Sequence, residues 1–467
     1  MADESRTGSW RWAKGYNLFY RFLRLFADVR HGEATKAFLL TLNIFVLLYA
    51  YYILKPIREV LLLVDKDAPA VKSYLSGAQA VLFIFVIKAF SRLSSRVPRH
   101  VLITWTTSFF ISNIAVFYIL NLSGMPVKTM GIIFFIWIGI FNWFVVAQFW
   151  GFANDLYTDD VGRRIFPLIG VGATLGALLG TRMRWLRELV GENWEYKLML
   201  IAGAILGVCI ALAIIIHKRE VRQSKKTAPP DDRDAKARIQ EQPLKAGGGF
   251  RLIFKSRYLL LIALVIGIYN YINATGEYIL TDVQTRGALK AVETATSGGL
   301  DMQQVIHNAF MDYQGLTNLI ALLIQLFLVS RIFRWVGIGG ALLFLPGIAL
   351  FGYGYMAFGV SLLLVKWVKA LENGTDYSLM NTTKAALFLV TPREEKYKAK
   401  VAIDTFFVRG GDTIAALTVL VGTGILSVAI ERFAFVNVIA VMIWIALTLL
   451  IIKEHKKRAA LATPQAG

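Results

Sequence analysis

Long apolar stretches alternate with short polar connections along most of the chain. A helix that crosses a bilayer needs about 20 largely apolar residues, and we identify twelve such stretches. The first six are Ala37–Leu54, Tyr74–Phe90, Val101–Leu120, Val127–Trp150, Ile165–Thr181 and Leu198–His217. The second six are Tyr258–Leu280, Leu316–Phe333, Val336–Phe358, Val360–Leu379, Val401–Ile425 and Phe433–Ile452. The pattern predicts an all-α integral membrane protein.

One polar segment, residues 218–257, separates the two sets of six helices. Its Pro229, Pro230 and Pro243, its many charges and its glycine run are typical of a linker. We therefore predict two six-helix halves, residues 37–217 and 258–452, in the major-facilitator-like arrangement.

The segments outside the two halves are rich in basic residues. Residues 1–36 combine aromatic and arginine positions as an amphipathic segment on the membrane surface does, and residues 453–467 form a basic tail. Loops rich in Lys and Arg stay in the cytoplasm, and the even number of helices then puts both termini there. We predict a multi-pass protein of a bacterial inner membrane.

Composition supports a membrane protein and argues against several other classes. Of the 467 residues, 56% are hydrophobic and only 18% are charged, against about 25% charged in soluble domains. The net charge of +20 is spread over helix ends and loops, so we expect no nucleic-acid partner. The single cysteine, Cys209, excludes a disulfide framework, and no histidine spacing suggests a metal. No nucleotide-hydrolysis or hydrolase motif appears, so we expect neither an enzyme nor a cofactor.

Charged residues beside apolar helices are the candidate binding groups. Lys55, Arg58 and Glu59 close the first helix and share one helix face. They form either a cation pair that binds an anion or an interfacial cluster in which Glu59 neutralises one cation. Pro56 within this group predicts a break in the helix.

A second cluster spans residues 148–180. Its candidate ligands are Trp150, Asn154, Asp160, Arg163 and Arg164. The two arginines bind an anion or serve as a cytoplasmic anchor that the aspartates balance. The glycines that follow predict close helix packing, and they are Gly170, Gly172, Gly176 and Gly180.

A third group of polar residues lies in the second half. Within otherwise apolar helices, Arg409 and Asp412 flank two glycines, and Lys366, Lys369, Glu372, Asp376 and Lys384 crowd one helix. Asn270, Asn273 and Glu277 could read a heterocycle, and Trp150, Tyr269 and Tyr271 could stack on a base.

Three motifs resemble the ATP:ADP antiporters of plastids and intracellular bacteria. They are "YYILKPIREVLL" at the end of the first helix, "FWGFANDLYTDDVGRRIFPLIG" from Phe149, and "YSLMNTTK" with "KAKVAID" near the tenth and eleventh helices. The resemblance implies exchange of adenine nucleotides that depends on paired Lys and Glu residues. Arg58 occupies the position of the family's first-helix lysine. Lys400 matches the eleventh-helix lysine, with Lys398 and Asp404 also matching.

The chain departs from the family in two places: the seventh-helix region matches poorly, and one position of the second motif differs. Val161 replaces a family glutamate, and Asp160 beside it is a candidate substitute. The substrate can therefore differ from ATP and ADP.

Together these observations predict a monomeric secondary transporter that exchanges nucleotides or a related phosphorylated anion across the lipid bilayer. The residues expected to bind the anion are Lys55, Arg58, Arg163, Arg164, Lys400 and Arg409. The residues expected to balance charge or take a coupling proton are Glu59, Glu277, Asp376 and Asp412. Two alternatives stay open. One is a proton-coupled exporter of a non-nucleotide compound. The other is a non-transporting scaffold or sensor, which would hold Arg58–Glu59 and Arg409–Asp412 as fixed pairs.

Overall fold

The computed structural model describes most of the chain as α-helix. The described ranges are 33–63, 67–94, 99–157, 159–182, 184–227, 249–294, 301–359, 361–391 and 399–462. They contain no β-strand. Side chains are described for most of these residues but not for all of them.

Before residue 228, the described part of the chain forms seven helices. They are α1 (Ala34–Leu62), α2 (Ala68–Ser94), α3 (Arg99–Leu122), α4 (Val127–Leu156), α5 (Asp159–Gly180), α6 (Arg184–Val190) and α7 (Trp194–Thr227). The chain after residue 248 continues with α8 (Gly249–Lys255), α9 (Arg257–Thr294), α10 (Met302–Leu323), α11 (Val329–Met356), α12 (Leu362–Thr375), α13 (Asn381–Leu387), α14 (Lys400–Ala402), α15 (Val408–Leu420) and α16 (Ile430–Ala462).

Short π-helical turns join several of the later helices. They are Ile324–Leu328, Asp376–Met380, Ile403–Phe407 and Val421–Ile425. Such turns are uncommon and often mark functional sites. Two of them begin at or contain a predicted site residue, Asp376 and Asp404.

Every predicted span coincides with an observed helix, and nine helices of the described part are long and apolar enough to cross a membrane. The chain is therefore a multi-pass membrane protein. The second, fifth and tenth predicted spans are not among the nine. The apolar part of α5 is only Leu168–Gly180, and α12 has 14 residues before its π-helical turn. That the chain has twelve membrane-spanning helices stays a prediction.

The eighth predicted span begins too late. Helix α10 starts at Met302, where the Asp301 side chain accepts a hydrogen bond from the Gln303 backbone N–H at 3.0 Å. Its polar His307, Gln314 and Asn318 are buried, and buried polar residues interrupt the apolar pattern that the prediction relies on. The predicted boundary with the ninth span lies beside Gly337, which takes a left-handed φ of 67°.

The predicted terminal and linker segments are described only in part. Residues 1–32 of the amphipathic segment and residues 228–248 of the linker lie outside the described residues. Helix α7 continues to Thr227 because Lys, Arg, Glu and Gln are good helix formers, so the start of the predicted linker is helical. Helix α16 likewise extends into the tail, to Ala462.

The chain forms two compact units that do not follow the order of the sequence. The first unit comprises Met1–Lys55, Phe90–Met125 and Ile138–Gln240. The second unit comprises Pro56–Ala89, Pro126–Trp137 and Glu241–Gly467. Residues from α1, α2 and α4 thus pack with the C-terminal helices. The prediction of two six-helix halves stays a prediction.

Helix α1 passes from one unit to the other at Pro56 without a break. The expected break is wrong, because the helix continues to Leu62. The neighbouring Ile53, Leu54 and Ile57 are all buried. Packing of these side chains holds the helix together although Pro56 cannot donate a backbone hydrogen bond.

Glycines bring α5 close to α1 within the first unit. A Cβ atom at Gly172 would lie 2.7 Å from the Thr41 carbonyl oxygen, and one at Gly180 would lie 2.7 Å from that of Tyr49. Gly176 faces the Phe45 carbonyl in the same way. The predicted small-residue packing is confirmed for these three glycines, whereas Gly170 faces open space.

Candidate functional site

In the second unit, the buried carboxylate of Glu59 contacts two cations. The Arg58 Nε donates to Glu59 Oε1 at 2.9 Å, and a second guanidinium nitrogen contacts the same oxygen. The Lys72 ammonium lies 2.8 Å from Glu59 Oε2 and donates to the Thr281 hydroxyl at 2.9 Å. We call Arg58, Glu59, Lys72 and Thr281 the Glu59 cluster. It joins helices α1, α2 and α9.

The Glu59 cluster brings two cations to one buried carboxylate. Two cations share one carboxylate, and the Glu59 side chain is only 2% exposed, against 18% for Arg58 and 11% for Lys72. The Arg58 guanidinium lies 4.9 Å from the centre of the Phe135 ring, and the Lys72 ammonium lies 5.2 Å from that of Phe310. Aromatic faces stabilise the cations without neutralising them. The cluster is suited to an anion.

Helix α2 also contacts α15 along the second unit. The Tyr74 and Thr423 hydroxyls are 2.9 Å apart, and a Cβ atom at Gly77 would lie 2.7 Å from Ala416 Cβ. Further along, the Arg409 guanidinium lies 4.3 Å from the centre of the Phe83 ring. These contacts hold α2 in place, and Lys72 lies two residues before Tyr74 and five before Gly77 on this helix.

The two pairs that the scaffold alternative expects are both present. Arg409 Nη1 lies 3.1 Å from Asp412 Oδ2, with the two side chains 28% and 18% exposed. Arg58 contacts Glu59, but Glu59 also holds Lys72, so this pair is not an isolated neutral one. Glu59 thus contacts two cations rather than one, and Arg409 stays a predicted ligand.

Lys55 falls in the first unit, one turn before Glu59 along α1. Its ammonium lies 5.2 Å from the centre of the Tyr52 ring. Its role as an anion ligand stays a prediction.

A second polar group is buried among the C-terminal helices. We call it the Glu372 network, and it consists of Asn273, Glu277, Tyr313, Tyr353, Lys369, Glu372 and Asn373. The Lys369 ammonium lies 3.0 Å from Glu372 Oε2 and donates to Asn273 Oδ1 at 2.9 Å. The Tyr353 hydroxyl donates to Glu372 Oε2 at 2.9 Å. Both Lys369 and Glu372 are fully buried.

The other side of the Glu372 network surrounds Glu277. Glu277 Oε1 accepts hydrogen bonds from the Asn373 amide at 2.8 Å and from the Tyr313 hydroxyl at 3.1 Å. The Asn373 amide also donates to the Tyr313 hydroxyl at 2.6 Å. Asn273 and Glu277, the predicted readers of a heterocycle, are thus engaged with protein groups. Their role at a substrate stays a prediction.

Glycine at position 276 allows α9 to approach this network. A Cβ atom there would lie 3.0 Å from the Lys369 ammonium and would also overlap the Tyr353 hydroxyl. On the same helix α9, the Thr275 hydroxyl donates a hydrogen bond to the Asn437 side chain of α16 at 2.6 Å. Five helices therefore converge on one set of buried hydrogen bonds.

Asp376 and Lys384 form a separate pair across the π-helical turn. The Lys384 ammonium lies 3.2 Å from Asp376 Oδ1 and 5.0 Å from the centre of the Tyr269 ring. Tyr269 is buried, and its ring centre is 5.4 Å from that of Trp444. Tyr269 therefore packs inside the second unit, and its stacking on a base stays a prediction.

Lys400 and Asp404 lie near the next π-helical turn. The Lys400 ammonium is 5.8 Å from the centre of the Phe388 ring, and Asp404 is exposed. Both match the eleventh-helix motif, but the described contacts do not join either of them to the Glu59 cluster or to the Glu372 network.

The FWGFAN segment lies in the first unit. Trp150 is half-buried, with its ring centre 5.6 Å from those of Phe149 and Phe166. The side chains of Asn154, Asp160, Arg163 and Arg164 lie outside the described part of the chain. Their binding roles stay predictions.

Ion pairing near the membrane surface ties the first unit together. The Lys36 ammonium lies 2.6 Å from Glu220 Oε2 and donates to the Leu156 carbonyl at 3.2 Å. Burial, together with the charges of Glu33 and Glu220, raises the pKa of Tyr157 well above its ordinary value. The Tyr157 hydroxyl therefore stays protonated at neutral pH.

Sequence reasoning missed Lys72, Tyr313, Tyr353 and Asn373. The only signal for Lys72 is a charge at the start of a predicted apolar helix, which is usual at a membrane surface. The other three are uncharged polar residues whose function appears only when helices pack together.

The fold matches solved membrane transporters. The nucleoside transporter NupG superposes with a TM-score of 0.56 at 12% sequence identity, over 89% of this chain and 98% of that one. At this identity the match shows the fold alone, a bundle of long helices that this chain shares with NupG.

Sequence comparisons then identify the relatives. Residues 125–279 match the model of the TLC ATP/ADP transporter family. The ADP,ATP carrier protein 1 of Chlamydia trachomatis is 23% identical over 88% of this chain and 87% of its own length. That of Chlamydia muridarum is 24% identical over 64% of this chain, and the match spans 60% of that carrier. The resemblance drawn from the motifs is confirmed: the chain is similar in sequence to ATP/ADP transporters.

Proposed function

We propose that this protein exchanges nucleotides, of the ATP and ADP type, or a closely related phosphorylated anion across a membrane. The observation that carries the proposal is the Glu59 cluster, where two cations share one buried carboxylate. The named relatives are ADP,ATP carriers, and a phosphate group is the ligand that such a cluster favours.

Glu59 acts as the internal counter-ion of the empty site. A buried cation without a partner is costly, so Arg58 and Lys72 need an anion when no substrate is bound. An arriving phosphate group takes over part of this role, and Glu59 then keeps the other cation. This arrangement favours exchange. If the bound anion leaves and no other anion enters, both cations again share a single carboxylate.

The position of Arg58 supports the same assignment. Arg58 matches a lysine in the first-helix motif of the ATP:ADP antiporters, and it lies beside Glu59 on the continuous helix α1. A guanidinium presents several N–H donors to phosphate oxygens, so the replacement of lysine by arginine keeps the charge and adds directional contacts.

The finer architecture belongs to the same proposal. We assign α2, α5 and α12 as the spans that complete a set of twelve, with both termini in the cytoplasm. We also assign a bacterial inner membrane and a monomeric transporter. A cysteine-accessibility scan of single-cysteine variants in whole cells tests the assignment, because loops on opposite faces differ in labelling by an impermeant reagent.

Counterflow in proteoliposomes tests the function. Vesicles preloaded with ADP receive labelled ATP, and the unaltered protein is compared with Arg58→Ala and with the control Lys457→Ala. Lys457 forms an ion pair in which its own side chain is 59% exposed, so its loss changes charge without touching the Glu59 cluster.

We expect uptake of ATP that requires internal ADP, is lost in Arg58→Ala and persists in Lys457→Ala. Absence of counterflow with every nucleotide tested would overturn the substrate assignment. Equal loss in both variants would overturn the role of Arg58, because surface charge alone would then explain the effect.

A further inference from the structure

Three apolar helices of the second unit have one end each in the same place. The membrane-length stretches Arg257–Thr294 and Ile403–Ile425 begin there, and the stretch Ile430–Arg458 ends there. The Arg458 guanidinium donates a hydrogen bond to the Ser256 hydroxyl at 2.8 Å, so the end of α16 lies beside the start of α9. Lipid headgroups lie where apolar stretches of this length end. The side chains around this contact are therefore at the level of the headgroups.

The short helix α8 exposes two aromatic side chains at this level. Phe250 and Phe254 are four residues apart, so they share one helix face, and they are 45% and 67% exposed. The ring centre of Phe250 lies 5.1 Å from that of Phe406, which is 53% exposed. Exposed phenylalanine rings beside a polar surface are typical of a helix that lies in the membrane interface, with its rings among the acyl chains.

Basic side chains alternate with these rings on and beside α8. Residues 249–258 hold three basic residues, Arg251, Lys255 and Arg257, and no acidic one. All three side chains are exposed, and within the described part of the chain no ion pair involves any of them. Arg251 and Lys255 each directly follow an exposed phenylalanine. Cations and aromatic rings thus lie side by side on the exposed surface of the helix.

The end of α16 adds further basic residues to the same place. Residues 453–458 hold four basic residues and one acidic residue. The acidic residue, Glu454, forms an ion pair with Lys457 at 3.2 Å. Besides its hydrogen bond to α9, the Arg458 guanidinium lies 4.8 Å from the centre of the Tyr258 ring. These two contacts hold the basic end of α16 next to α8.

We propose that this surface binds the headgroup of an anionic phospholipid. We call it the interfacial patch, and it consists of the basic end of α16 together with Phe250, Arg251, Phe254, Lys255, Arg257 and Phe406. The rings contact acyl chains, and the cations bind the negatively charged headgroup. Phosphatidylcholine carries its own ammonium beside its phosphate, so the net charge of the headgroup separates it from phosphatidylglycerol. Because α8 directly follows the linker, a lipid bound here holds the start of the second unit at the membrane surface.

Native mass spectrometry tests the interfacial patch without any transport. The full chain in an uncharged detergent is titrated with phosphatidylglycerol or with phosphatidylcholine of the same acyl chains, and the apparent dissociation constants are compared. We expect tighter binding of phosphatidylglycerol. Lys255→Gln should lower this preference about fivefold, which is the contribution of one cation at an anionic lipid surface. The control Lys290→Gln removes another exposed lysine, at the far end of α9, and should keep the preference.

Two further measurements separate the headgroup from the acyl chains. The double variant Arg251→Gln/Lys255→Gln should lower the preference further, and a higher ionic strength should reduce it in the unaltered protein. Phe254→Ser should instead weaken the binding of both lipids alike. Equal binding of the two lipids by the unaltered protein would overturn the proposal. A preference that is unchanged in the double variant, or that falls equally in Lys290→Gln, would overturn it as well.

The lipid site and the proposed nucleotide exchange can fail separately. A preference for phosphatidylglycerol without counterflow of any nucleotide would overturn the exchange and leave the lipid site standing. Added ADP should not displace phosphatidylglycerol, because the interfacial patch is proposed for lipid. If ADP displaces the lipid in the unaltered protein and no longer does so in the double variant, the patch binds nucleotide, and the lipid proposal is overturned.

Discussion

The Glu59 cluster and the Glu372 network are both buried ionic groups in the same unit, yet the exposure of their cations differs. At Glu59 two cations share one carboxylate, and both cations remain partly exposed. In the network one fully buried ammonium faces two carboxylates, which also accept hydrogen bonds from tyrosine hydroxyls and an amide. The cations of the first group are therefore accessible in part, whereas the ion pair of the second is enclosed by protein.

The difference shows that buried charge alone does not define a substrate site. Both groups would look alike in a sequence, as charges next to apolar residues. What separates them is the count of charges, their exposure and the fraction of hydrogen-bonding capacity that the protein itself already uses. Variants that change one of these properties at a time test the comparison.

The largest expected effect comes from Lys72→Gln, which keeps most of the side-chain length and removes the charge. A hydrogen bond to a charged group contributes about 1.5–3 kcal/mol, so counterflow should fall by about 10- to 100-fold. Initial rates of ATP uptake measure this. Glu59 would still pair with Arg58, so the fold should survive.

Glu59→Gln should act on the same cluster in the opposite direction. It removes the internal counter-ion of Arg58 and Lys72, so the apparent affinity for the anion should rise while the maximal rate falls. A weaker apparent affinity in this variant would contradict the counter-ion role of Glu59. The KM and the maximal rate of counterflow separate the two outcomes.

An intermediate effect on stability is expected for Gly276→Ala. The added methyl group would overlap the Tyr353 hydroxyl and crowd the Lys369 ammonium, and overpacking costs about 1–3 kcal/mol. The control is Gly267→Ala on the same helix, where the new Cβ would lie 3.6 Å from the Phe407 carbonyl, an ordinary contact. Thermal unfolding in detergent should show a lower midpoint for Gly276→Ala alone. Equal midpoints would mean that the network is not tightly packed.

The smallest expected effect is that of Tyr313→Phe. It removes one hydroxyl that donates to Glu277 and accepts from Asn373, and a typical hydrogen bond contributes about 0.5–1.5 kcal/mol to stability. Tyr355→Phe is the control, because Tyr355 is 68% exposed. The same unfolding assay compares them, and a larger loss in the control would contradict the network's role.

Much of the fold could be predicted because lipid imposes one simple rule, an apolar stretch of fixed length. The rule failed where helices protect polar groups from lipid. The start of α10 was missed because His307, Gln314 and Asn318 are buried. The break expected at Pro56 did not occur, since packing on both sides of a proline is invisible in a local pattern.

The candidate site was predictable only in part. Arg58 and Glu59 were found because a charge at the end of an apolar helix stands out. Their partner Lys72 was missed because a lysine beside the start of a helix is ordinary, and its contact with Thr281 joins residues 209 positions apart in the sequence. Spatial partners of this kind leave no signal in a single sequence.

The interleaved order of the two compact units has a consequence for biogenesis. Residues 56–89 and 126–137 are made early but pack with helices that follow residue 240. The second unit can therefore close only after the last helices have entered the membrane. Lys72 is available to Glu59 early, whereas the contact with Thr281 forms only once α9 has been made. If the gene were split within residues 228–248, the C-terminal fragment would lack part of its own packing partners and would need the N-terminal fragment to assemble.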